Sequence, residues 1–317
     1  MLNPVFRREL STSLRSWKTY GALTVYVAIL ILVQRVAMSS AVGGYSYYGY
    51  GYGFDPKDTT MLYSILSGFQ FVLIAIITPA LTAGSIAGER ERQTLNLMLI
   101  TKMSTLKIAA GKLMSSLSII VLLIIAAMPV FAMVFYYGGV SILDLIAIVL
   151  YTILSAAAMG SICIFLSSLF KRTVSATVLS YISIMVLCIG TFIIAILMYA
   201  AFSVFRSYNL YSSYAPVGAG TISDFRMGVV KVAFIAIFSI NPFVGFLSII
   251  DAQMGTGVVD GLFYEVTYMY SYSTYGNYDV SINLWIYNVL VNIAIVAVML
   301  LLTSKVLMPV KASRKNK

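Results

Sequence analysis

The sequence predicts an all-α integral membrane protein with six transmembrane helices, on three observations. Sixty per cent of its 317 residues are apolar and only 10% are charged, against about 45–50% and about 25% in soluble domains. Six apolar stretches reach the roughly 20 residues that a helix needs to cross a hydrocarbon core about 30 Å thick. Lys and Arg fall unevenly about those stretches, as the positive-inside rule requires. A chain with a mean hydropathy of +0.94 cannot cover itself with polar groups in water. A soluble enzyme, a nucleic-acid-binding domain and a disordered tail are therefore excluded.

The spans are expected at residues 20–37, 62–83, 108–136, 142–169, 174–205 and 282–308. With the N-terminus inside, the inner segments hold sixteen of the 21 basic residues and, of the acids, only Glu9, Glu89 and Glu91. Both termini are then cytoplasmic, as an even number of spans demands. Residues 232–250 compete for a seventh span. Asn241 and Pro242 interrupt them, and Pro removes a helix hydrogen bond and clashes with the preceding turn. A seventh span would also expel the basic tail at 309–317. The segment reads as short re-entrant outer helices, whose backbone must be buried against protein or line a cavity.

Ahead of the first span, Phe6, Leu10, Leu14 and Trp17 recur at spacings of four, four and three, one face of a helix. Arg7, Arg8 and Arg15 lie on other faces. A basic amphipathic helix with a Trp lies in the interface plane on membrane lipid, so residues 1–18 form one unit and residues 19–317 the six-span domain. Outside, the loop at 39–60 and the region at 206–281 carry fourteen of the 23 tyrosines. They suit an aromatic belt at headgroup level or a Tyr-lined contact surface. In the fourth span, Ala156 with Gly160 and Ala157 with Ser161 are small-xxx-small pairs that permit close helix approach.

Catalytic chemistry finds no parts. The chain has no His, which removes His-based metal sites, triads and proton relays. Cys163 and Cys188 lie in apolar runs and read as packing residues. The span interiors show no ionisable relay for harvesting an ion gradient. A phosphate-cradling loop needs G-x-x-x-x-G-K-[ST]. At the Gly111, Lys112 pair, Leu106 replaces the first Gly and Leu113 the Ser or Thr. Any uphill work must draw its energy from elsewhere.

The richest inner segment is the loop at 84–106. Small residues Gly84, Ser85, Ala87 and Gly88 precede the alternating charges Glu89, Arg90, Glu91 and Arg92. Glu89 and Arg92 suit an i,i+3 pair on a helix. Leu95, Leu97, Met98, Leu99 and Ile100 form an apolar patch too large for an ordinary solvated loop, and Ser104 is placed to cap the next helix. A short helix, charged and then apolar, suits docking into a partner's groove or lying on headgroups.

Three places resemble the permease subunit of ABC-2 type (type V exporter) ABC transporters. They are Asn3-Pro4-Val5-Phe6-Arg7-Arg8-Glu9-Leu10 with Arg15 and Lys18, Ala87-Gly88-Glu89-Arg90-Glu91-Arg92-Gln93-Thr94-Leu95 with Leu97, Leu99, Thr101, Ser104, Gly111 and Lys112, and Asn241-Pro242-Phe243. Gln93 stands where the family often has Gly, and Lys102 where it often has Pro. The resemblance implies an elbow helix carrying Phe6, Arg7, Arg8, Leu10 and Trp17. It implies a cytoplasmic coupling helix between spans two and three that seats Glu89, Arg90, Glu91, Arg92, Thr94, Leu95, Leu97 and Met98 on an ATPase. It implies an outer gate at Asn241, Pro242 and Phe243. The partners implied are cytosolic ABC ATPase subunits and a second permease chain, in a homodimer or heterodimer. ATP and Mg would be bound by the partner ATPase, and this chain would carry no cofactor or metal of its own and no catalytic residue. The place implied is the plasma or inner membrane, and the cargo a peptide, lipid or drug-like amphiphile. The alternative is a non-transport membrane sensor or scaffold subunit that reads an outside ligand with its Tyr-rich surface.

Overall fold

A computed structural model describes residues 11, 15–43, 56–95, 104–138, 140–194, 196–197, 200, 232–233, 235–255 and 284–307. Among them there is no strand. The helices are α1 (Trp17–Gly43), α2 (Pro56–Thr82), the short α3 (Ala87–Glu91), α4 (Thr105–Tyr136), α5 (Ile142–Leu169), α6 (Thr173–Met185), which runs into a π-turn at Val186–Gly190, α7 (Pro242–Met254) and α8 (Leu284–Leu307). Among the described residues, six helical stretches are long and apolar enough to cross a membrane, from Thr19–Ser39 to Leu284–Leu307. The elements place Trp17, expected at the end of an elbow helix, in the first turn of α1, where it is exposed. Phe6, Arg7, Arg8 and Leu10 lie outside the described residues, as do the Tyr clusters at 45–52, 208–214 and 264–278.

Local chemistry sets several helix ends. Ser104 is extended at the N-cap of α4, and its Oγ accepts from Lys107 N, satisfying one of the four N–H groups a helix leaves open. Ser141 and Asp144 form a capping box on α5: Ser141 N donates to Asp144 Oδ2, and Leu143 N donates to Ser141 Oγ. Asn241 and Pro242 open α7, with Asn as cap and Pro in the first turn, where its missing N–H costs nothing. The break expected there is a helix start, with helical residues at 235–240 on the other side.

The chain forms two compact units, residues 1–182 with 293–317, and residues 183–292. In the first, α2, α4 and α5 are the core spans, with 39% of their apolar windows buried, against 17% for α1. Ile74, Ile120, Ile124 and Ala156 make one buried cluster, and Phe71 stacks on Tyr151 at 6.4 Å. Of the small residues that mark the face of α5, Ala156, Gly160 and Ser161 are buried and Ala157 is half-buried. A Cβ on Gly160 would stand 3.1 Å from Leu113 Cδ1 and 3.3 Å from Thr82 Cγ2, so the missing side chain is what lets α2 and α4 close on α5. In the second unit, Phe192, Phe238, Phe243 and Phe246 form a run of ring contacts at 5.9 to 6.5 Å.

Candidate functional site

Two polar assemblies stand out from this apolar body, one at the turn that follows α2 and one at Asn241. The turn begins where α2 ends: Ala83 N donates to Pro79 O and Ser85 N to Thr82 O, and the chain re-enters helix at Ala87. The first N–H groups of α3 lack carbonyl partners of their own helix. Ser167 of α5 supplies one, its buried Oγ accepting from both Ile86 N at 3.1 Å and Ala87 N at 2.9 Å.

α3 ends by a specific device. Thr94 N donates to Glu89 O, Gln93 N donates to Arg90 O, and Gln93 adopts a left-handed φ of +59°. This is a Schellman closure, in which the left-handed position normally takes Gly. A left-handed L-residue at that position costs on the order of 1 kcal/mol. The closure turns the chain so that Leu95 enters a buried cluster with Ile86, Leu113, Ile164 and Leu307.

The charges are then divided between inward and outward roles. Glu89 is paired with Lys112 of α4, Nζ to Oε1 at 2.7 Å, and not with Arg92 as its spacing suggests. Arg92 is the C-cap of α3, its N still donating to Gly88 O at 3.1 Å, and its side chain is exposed. Lys112 is 2% exposed and Glu89 22%, so the pair is held largely out of water. Arg90 reaches the end of α5, donating from Nη1 to Phe170 O at 3.1 Å and from Nη2 to Ser168 O at 2.9 Å. Those carbonyls belong to the last turn of a helix and its cap, where a cation also meets the negative end of the helix dipole. Glu91 accepts from Thr173 Oγ1 of α6 at 2.8 Å. Arg92, Gln93 and Thr94 are exposed. The turn is thus tied to α4, α5 and α6 while continuing α2, with a polar rim at its tip. Leu97 and Met98 lie outside the described residues.

The second assembly is built on neutral amides. Asn241 is fully buried and uses every hydrogen-bonding group of its side chain. Oδ1 accepts from Phe243 N at 2.9 Å, and Nδ2 donates to Cys188 O at 2.9 Å and Thr191 Oγ1 at 2.7 Å. Its backbone carbonyl accepts from Asn288 Nδ2 at 2.8 Å, which also donates to Ser239 O at 2.8 Å. Asn292 Nδ2 donates to Asn288 Oδ1 at 2.7 Å. Pro242 sets the start of α7 and Phe243 joins the aromatic run, so the three residues expected together do sit at one junction.

Sequence reasoning missed Lys112, Ser167 and Thr173 at the turn, because each meets it from a distant part of the chain. Asn288 and Asn292 had a visible signal: two amides four apart on one face of an apolar span. Among the described residues no group of three or more His, Cys, Asp or Glu could hold a metal ion.

Residues 3–255 match the family model described as "ABC-2 family transporter protein". No curated protein matches the chain.

Proposed function

The chain belongs to the ABC-2 family of transporter proteins, as a multi-pass membrane permease, and from that premise we propose that it is the export permease of an ATP-driven complex. Separate cytosolic ATPase subunits bind and hydrolyse ATP with Mg, and the turn at residues 84–95 is where they seat. A second permease chain completes the translocation path. The membrane is the plasma or inner membrane, with both termini in the cytoplasm. The cargo is a peptide, lipid or drug-like amphiphile.

One observation carries this reading. The turn is anchored in three other helices by Lys112, by Ser167 with the Ser168 and Phe170 carbonyls, and by Thr173, and it presents Arg92, Gln93 and Thr94 outward. A push on an exposed rim that is fixed at its root moves helices; a push on a loosely attached loop is absorbed by the loop. Glu89, Arg90 and Leu95 hold the turn in shape, and Glu91, Arg92, Thr94, Leu97 and Met98 form the contact with the ATPase. Phe6, Arg7, Arg8 and Leu10 lie along the interface as the elbow, Trp17 opens α1, and Asn241, Pro242 and Phe243 hold the outer gate.

Purification from the native membrane in mild detergent tests the reading. A cytosolic P-loop ATPase in equal amount, lost in Arg92→Glu with Thr94→Arg while the permease remains folded, is the expected result. A chain that purifies alone, under conditions that keep other complexes intact, would point to the sensor or scaffold role instead.

A further inference from the structure

The fifth span does not run as one α-helix. α6 gives way to a π-turn at Val186–Gly190 and returns to α geometry at Thr191. A π-turn closes its hydrogen bonds one residue further along the chain than the α-helix, is rare, and is found frequently at functional positions. In a bilayer each backbone group has to be satisfied within the protein, so a widened ladder needs a reason to persist.

The reason here is a set of side-chain donors. Cys188 O, inside the π-turn, accepts from Asn241 Nδ2 at 2.9 Å and from Thr191 Oγ1 at 3.2 Å, and Leu187 O accepts from Thr191 Oγ1 at 3.0 Å. Asn241 also donates to Thr191 Oγ1, which fixes that hydroxyl between the segments. The same amide caps α7, and its backbone carbonyl is held by Asn288. One buried side chain therefore joins the register of the fifth span to the start of α7.

We infer that the Val186–Gly190 π-turn is a register switch in the fifth span and that Asn241 is the latch holding it in the wide form. Without the amide, the ladder closes to α geometry, which needs no outside donor. An α-helix advances about 100° per residue. Closing the turn therefore rotates Thr191, Phe192, Ile193 and Ile194 by roughly that angle relative to α6, and gives the following apolar residues a new face. The inference concerns helix register and stands independently of the transport reading.

Nitroxide labels test it. In full-length protein carrying Cys163→Ser and Cys188→Ala, single labels are placed along 174–185 and 192–197 in lipid vesicles. Their accessibility to oxygen gives the angular phase of each stretch. The parent is expected to show a phase lag of about one residue, near 100°, between the two. Asn241→Ser keeps a helix-capping oxygen but cannot reach the π-turn, and is expected to reduce the lag to less than half. Thr191→Val, which leaves the α7 cap untouched, should shift it in the same direction and serves if Asn241→Ser does not fold. A parent without the lag, or an unchanged lag in Asn241→Ser or, where that variant does not fold, in Thr191→Val, would overturn the inference.

Discussion

The turn at residues 84–95 is held by full charges, whereas the junction at Asn241 is held by amides and hydroxyls alone. Lys112, buried, pairs with the half-buried Glu89, and Arg90 grips two carbonyls, while Asn241, Thr191 and Asn288 share neutral hydrogen bonds. The difference shows in how each would respond to loss of one member. A buried charge that loses its partner is left with its full desolvation cost. An amide that loses its partner leaves one orphaned group, at about 1–3 kcal/mol. The turn is therefore built to be rigid or broken, and the junction can exchange partners at modest cost. That division suits a rigid lever in one unit and an adjustable packing centre in the other.

Breaking the ion pair should have the largest effect. Glu89→Ala removes the carboxylate that pairs with Lys112, which is 2% exposed, and a loss of about 3 kcal/mol is expected in thermal unfolding in detergent. Glu89→Leu with Lys112→Met should recover most of that loss, since apolar pairs often replace buried ion pairs without penalty. Next, Asn241→Leu removes a helix cap and two donors together and should cost about 2 kcal/mol. Ser167→Ala leaves the N–H groups of Ile86 and Ala87 without their shared acceptor. About 1.5 kcal/mol is expected in the same assay. The smallest change has the opposite sign: Gln93→Gly relieves the left-handed φ and should stabilise by about 0.5 kcal/mol, the relief being partly offset by glycine's greater freedom in the unfolded chain. A Gln93→Gly that destabilised the protein would deny the Schellman closure of α3.

What the sequence made legible follows from how local each signal is. The apolar runs fixed the six spans because hydropathy acts over a helix's own length, and the ends of the fourth match at Ile142–Leu169. Ser104 and Pro242 marked their helix ends because caps and Pro act within one turn. Gly160 marked a close approach, though the sequence did not identify Leu113 and Thr82 as what approaches. The partner of Glu89 was hidden because Lys112 arrives from 23 residues on, while the helical spacing pointed to Arg92 close by. The π-turn had no signal either, since nothing in its Val, Leu, Cys, Ile and Gly departs from an ordinary span. It is imposed by an Asn some fifty residues away. Trp17 is the first residue of α1, just after a turn at Arg15, and spacing alone could not tell that start from a continuation of the apolar face of Phe6, Leu10 and Leu14.

The most direct test of the central claim, that the turn transmits force from an ATPase through an outward rim on a rigid root, compares two variants in one reconstituted system. Arg92→Glu alters only the exposed rim and should leave stability within about 0.5 kcal/mol, while transport-coupled ATP hydrolysis falls because the ATPase no longer seats. The double variant Glu89→Leu with Lys112→Met should retain ATPase binding, because the rim is untouched. Loss of seating in Arg92→Glu with retention in the double variant is the predicted result. Full seating and coupled hydrolysis in Arg92→Glu would contradict the account.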